Sequence, residues 1–137
     1  METDIFTLCD FAQDVGGKLT IVGTFDTIFA ADLPAVHPTL SIVARLRFSD
    51  SEAGQHSFEI SFSDDSGNKN VLPPFSRNID VRIPSGEKWG NANIVVGIGQ
   101  FLLPSYGKYY INLSIDEKQV RSLSINVKKT PRKPDGC

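Results

Sequence analysis

Long apolar runs, helical periodicity and reactive side chains are all scarce in this sequence. No apolar stretch approaches the roughly 20 residues of a bilayer-crossing helix, and the opening Met-Glu-Thr-Asp lacks the basic and apolar regions of a secretory signal. The expectation is therefore a cytoplasmic protein with no membrane partner. Apolar residues nowhere recur at helical spacing for three turns, so essentially no helix is expected. Neither sign of charge dominates: 14 Lys and Arg stand against 16 Asp and Glu, a net charge of −2. That balance gives no global attraction to nucleic acid or anionic lipid.

Cysteine is equally sparse. Cys9 lies inside an apolar run and Cys137 is the last residue. A disulfide between them would need the tail pinned back, and such bonds are rare in the cytosol. Cys9 reads as a small buried hydrophobe and Cys137 as a free terminal thiol. A nucleophilic Cys9 would need a nearby base, and its neighbour Asp10 points to the opposite face of a strand.

Catalytic and cofactor motifs are missing too. The sequence holds no phosphate loop, no His-Glu-x-x-His, no Cys-x-x-Cys and no nucleophile elbow. Gly97-Ile98-Gly99 has no helix after it, so it is no dinucleotide fingerprint. Catalytic residues, metal ligands and cofactors are accordingly all expected to be none. Asp64-Asp65-Ser66-Gly67-Asn68 reads as a turn, because calcium needs six to eight oxygens and one acidic turn supplies few.

What the chain does have is alternation. Leu40, Ile42, Ala44, Leu46 and Phe48 share one strand face, and Phe58, Ile60 and Phe62 another. Phe75, Ile79, Val81 and Ile83 continue the pattern, followed by the most apolar region, Trp89 to Leu103. There the phase changes near Gly97 and Gly99, which suggests a bulge or close packing against another backbone. Gly16-Gly17 and Asp116-Glu117-Lys118 read as hairpin turns, while Asp32 to Pro38, with two prolines, reads as a connection. About nine strands follow. They predict an all-β, two-layer antiparallel β-sandwich, immunoglobulin-like or jelly-roll-like. Residues 1–127 form its single domain and 128–137 a flexible basic tail without the interleaved aromatics of a nucleic-acid binder.

Few side chains stand out as site candidates. His37 reads as a loop residue and His56 as a cap on a buried face at a strand end. Trp89 suits a plug in the sandwich core better than a stacking platform. Asp10 sits in an apolar run and must find donors if buried, so it is expected to accept backbone N–H bonds and lock the first hairpin. His37, Trp89 and Tyr106 are the weak ligand or partner candidates, clustered at one end if a small ligand or carbohydrate is bound.

The pieces Leu8-Cys9-Asp10 with Ala12, Gly16-Gly17-Lys18 with Ile21 and Gly23, and Phe25-Asp26 carry a resemblance. His37-Pro38, Ala44-Arg45-Leu46-Arg47-Phe48 and Gly107 before Tyr109 extend it to about Val127. Together they resemble a small uncharacterised bacterial protein family. The resemblance implies a bacterial origin and one compact domain, and it brings no activity or site residue. With no convergent reactive residues and long regular strands, the expected function is a non-catalytic module for protein interaction or assembly, pairing with a partner or itself through strand edges. A small-ligand or carbohydrate-binding domain is the alternative, and an atypical hydrolase the remote one.

Overall fold

The alternating segments fold as nine strands in the computed structural model, which describes residues 1–67 and 72–131. These are β1 (Glu2–Val15), β2 (Lys18–Thr24), β3 (Thr27–Ala30), β4 (Ala35–Ser49) and β5 (Gly54–Asp64). They continue with β6 (Phe75–Val81), β7 (Trp89–Leu103), β8 (Gly107–Ile115) and β9 (Lys118–Lys129). The one helical feature among the described residues is a single 3-10 turn, Asp50–Glu52. One sheet has the order β2-β1-β4-β7, the other β3-β9-β8-β5-β6.

The inward faces of both sheets meet in one core. Leu40, Ile42, Leu46 and Phe48 of β4 pack there with Ile60 of β5, Ile111 and Leu113 of β8, and Ile125 of β9. All eight are at most 1% exposed, which is where the hydrophobic driving force of a two-layer fold is concentrated.

Every neighbouring pair is antiparallel except β3 with β9, which run parallel. This departs from the all-antiparallel expectation, and the cause lies in Phe25 and Asp26. These two residues carry the chain from one sheet to the other: the Phe25 N–H donates to the Leu8 carbonyl at 3.1 Å, and the Asn126 N–H donates to the Asp26 carbonyl at 2.8 Å. Without room for a reversal, β3 leaves the crossing in the direction of β9. Thr130 N–H then donates to the Ala30 carbonyl. The expected tail boundary at residue 128 therefore moves, since Lys128 and Lys129 pair with Phe29 and Ala30. Residues 132–137 of that tail, Cys137 included, and Asn68 of the acidic turn lie outside the described residues.

The first hairpin closes at Gly16-Gly17, both at positive φ (60° and 82°), where glycine avoids the Cβ clash of other residues. It does more than start a sheet. β1 pairs with β4 from Glu2 to Cys9, then with β2 alone from Phe11 to Val15. Phe6 and Leu8 belong to the main core, whereas Ala12 joins Cys9 and Val43 in a second small cluster, with Leu19, Ile21 and Val95 packed on it. The face changes at Asp10, opposite Gly23, whose φ is +69°. From that bend the hairpin folds onto the outer face of the first sheet, where Arg45 Nη1 and Asn93 Nδ2 donate to the Gly17 carbonyl at 3.3 and 3.1 Å.

The phase change expected in β7 falls at Gln100, at φ 54°, with no bulge in the pairing. The β4–β7 register runs unbroken from Ala35↔Leu103 to Ser49↔Trp89, lacking only a partner pair at Pro38 and Gln100. Proline has no N–H for the ladder, and both strands exchange faces together at that point. The expected connection Asp32 to Pro38 is shorter than its prolines suggested, because β4 already starts at Ala35.

Candidate functional site

The sequence candidates do not converge. His37 lies in β4 rather than in a loop, and Trp89 pairs with Ser49 at the other end of the same strand. Twelve residues separate His37 from Ser49, so at ~3.3 Å per residue the two side chains stand about 40 Å apart. The expected cluster of His37, Trp89 and Tyr106 at one end is thereby corrected. Trp89 is also no core plug: it is 50% exposed, with the Arg47 guanidinium 5.4 Å from its ring centroid. Arg47 in turn is held by Glu2 and by Asp4. Tyr106 ties the β7–β8 turn to the end of β3, its hydroxyl donating to the carbonyls of Ala30 (2.9 Å) and Ala31 (3.2 Å).

His37 and Asp10 do come together. They line a hollow of about 400 Å³ with Gly23, Phe25 and Phe29, along the seam where β2 crosses to β3. The His37 ring lies 5.6 Å from that of Phe25. Asp10 is exposed, and its carboxylate accepts no hydrogen bond among the described residues. Its carboxylate lies over Gly23, where a Cβ would come within 2.5 Å of Oδ2. The expectation that Asp10 locks the hairpin by accepting N–H bonds is thus overturned. The turn is tied instead by Asp14, whose Oδ1 accepts the Gly17 N–H at 3.0 Å. Asp10 occupies the bend because the strand changes faces there, which sets it in solvent rather than in either core.

His56 caps the buried face as its phase suggested, stacked 4.7 Å from Phe48. Its partners carry no local sequence signal. Nδ1 lies 2.6 Å from Asp116 Oδ2 and Nε2 2.6 Å from the Glu52 carbonyl. Neither oxygen has a proton to give, so the arrangement is complete only with an imidazolium. The Glu52 carbonyl and then Asp116 push the His56 pKa up, and His56 with the Ser57 N–H pulls Asp116 down. Glu52 itself is lowered to about 2, chiefly by the Ser49 N–H and then by the Met1 amino group. Among the described residues, no three His, Cys, Asp or Glu side chains are placed to hold a metal ion.

A large apolar opening among the described residues involves none of these side chains. β7 ends the first sheet and β6 the second, on the same flank, and between them run two adjoining hollows of about 360 and 440 Å³. Both are walled by Phe75, Val96 and Gly97, and the larger reaches Ile60 and Phe62 of the core. Every second residue of β7 turns its N–H and C=O away from β4 toward this flank. An extended peptide laid there would meet a backbone ladder and an apolar trough together. The signal was available in the sequence as fifteen residues without a charge, from Trp89 to Leu103. What alternation cannot say is that this strand, of all nine, lies at an edge.

Residues 4–128 match the family DUF6941, described as a family of unknown function, and the chain belongs to it. No curated protein matches the chain.

Proposed function

We propose that this member of a family of unknown function is a non-catalytic, bacterial, cytoplasmic module for protein interaction or assembly, and that the β7 edge is its contact surface. One observation carries the reading: a fifteen-residue edge strand beside an apolar trough that opens to the core. Strand addition uses both parts, since main-chain bonds supply affinity and alternate side chains fill pockets. The absence of charge along β7 favours a protein strand over a nucleic-acid backbone, which cations would have to neutralise. An immunoglobulin-like arrangement suits the same role. It is supported by the parallel pairing of β3 with the last strand and by Tyr109, whose hydroxyl meets the backbone of Ser105 four residues upstream.

The test is capture from a bacterial lysate by immobilised wild type and by Gly97→Lys, with bound protein identified by mass spectrometry, this chain's own copies included. Wild type is expected to retain a defined protein that the variant loses. Equal retention by both, or none by either, would sink the proposal.

The hollow bearing Asp10, His37 and Phe25 supports a second reading, a site for a small polar ligand or carbohydrate. A thermal-shift screen of sugars, nucleotides and divalent ions decides it, because a ligand that binds only the native state raises the melting temperature. No shift at millimolar ligand counts against it.

A further inference from the structure

Four strand edges bound the two sheets: β2 and β7 in one, β3 and β6 in the other. An open edge invites another chain to pair, and soluble proteins blunt it with charge, proline, irregularity or brevity. Three of the four are blunted here. β3 has only four residues, β6 carries Arg77 and Asp80, and β2 begins on Lys18 and bends at Gly23. β7 has fifteen residues with no Asp, Glu, Lys, Arg or Pro.

Its glycines add a second observation. Gly97 and Gly99 are exposed, neither has a positive φ, and a Cβ on either would meet nothing within 4 Å. The fold of a single chain therefore does not demand glycine at these positions, although glycine weakens a strand. Glycine inside a strand often marks a place where another backbone or a large neighbouring side chain packs closely.

We propose that β7 pairs antiparallel with β7 of a second copy, about a two-fold axis near Val96, joining two four-stranded sheets into one of eight strands. The inference rests on the reading of β7 as a contact edge and names its occupant. In a two-fold contact each residue near the axis meets the same strand of its partner, so any charge there meets its like. A strand without charge escapes that repulsion. The sizes also match. With the axis at Val96, Asn93 stands opposite Gly99 of the second copy and Val95 opposite Gly97, so each outward glycine receives a larger neighbour. On the inward side Ile94 meets Ile98 and Val96 meets itself, a row of β-branched pairs of the kind that stabilises sheets. Arg77 does not oppose the approach. Its guanidinium lies 4.4 Å from the centroid of its own Phe75 ring and donates to the Ser76 carbonyl at 3.1 Å.

The experiment is light scattering after size-exclusion chromatography of the full chain over a wide concentration range, with hydrogen exchange on the same samples. Wild type is expected at twice the chain mass, with amides around Val96 protected. Gly97→Lys is expected at the chain mass, with those amides exchanging fast and the melting temperature of the isolated chain not reduced. Gly99→Glu is the second variant, with the same expected result should Gly97→Lys fail to fold. A wild type at the chain mass throughout overturns the inference, as does a doubled mass that survives either substitution. The first of these results leaves the contact-edge reading standing wherever wild type but not Gly97→Lys retains a different protein.

Discussion

His56 is bonded at both ring nitrogens to groups that can only accept, which makes its charge part of the fold. Its raised pKa means that the stabilisation is fully present below the ordinary value of 6.5 and is lost as pH rises through the higher folded-state value. Asp116 runs the other way: its lowered pKa stabilises above the ordinary 3.8 and fades as pH falls through the folded-state value. The stability gap between wild type and His56→Asn, measured by urea unfolding, should therefore be widest between pH 3.8 and 6.5 and narrow on both sides. A gap independent of pH would mean that only the stacking on Phe48 matters. The sequence placed His56 at a strand end by phase alone. Asp116 lies 60 residues away in a different hairpin, and the pairing of β5 with β8 that joins them has no local signature. Asp10 departs from expectation for the opposite reason, since its apolar neighbours in sequence imply burial but a change of strand face sets it in solvent.

Strands were the most legible element because a period of two survives in nearly all of them. β5, β8 and β9 turn inward the residues their alternation indicates. Turns were legible where their chemistry was plain, as at Gly16-Gly17. The Asp116-Glu117 turn shows the limit: both residues take positive φ (50° and 68°) without glycine, a strain of about 1–2 kcal/mol per residue offset elsewhere. Asp116 recovers part of it by accepting from Ser57 and His56. The β7–β8 corner depends on another polar contact. The Tyr109 hydroxyl accepts the Ser105 N–H at 3.1 Å, donates to the Ser105 carbonyl at 2.9 Å and meets Ser105 Oγ at 2.9 Å. Tyr109→Phe keeps the buried ring and strands these partners, so it should cost about 1–3 kcal/mol in chemical unfolding. A loss below a few tenths would show that water replaces the hydroxyl at no cost.

At the scale of the molecule the two sheets share one core, so a defect in either should weaken both. Leu113, fully buried on β8, is expected to cost about 2–5 kcal/mol on replacement by Ala. Circular dichroism and Trp89 fluorescence should still report a single transition, because the main core, Leu113 included, is built from both sheets. Two separate transitions would contradict that unity. The connectivity that produces it was the least legible feature. The crossing at Phe25-Asp26 and the parallel β3–β9 pair are decided by contacts about 100 residues apart, and those leave no mark on local patterning. The folded-back hairpin has a consequence of its own. It seals Cys9 at 0% exposure between Ala12 and Val43, and burial pushes the thiol pKa up, so alkylating reagents reach a reactive thiolate only when the hairpin lifts. In a chain carrying Cys137→Ser, the labelling rate of Cys9 becomes a clock for that lifting, a molecular latch that times its own release.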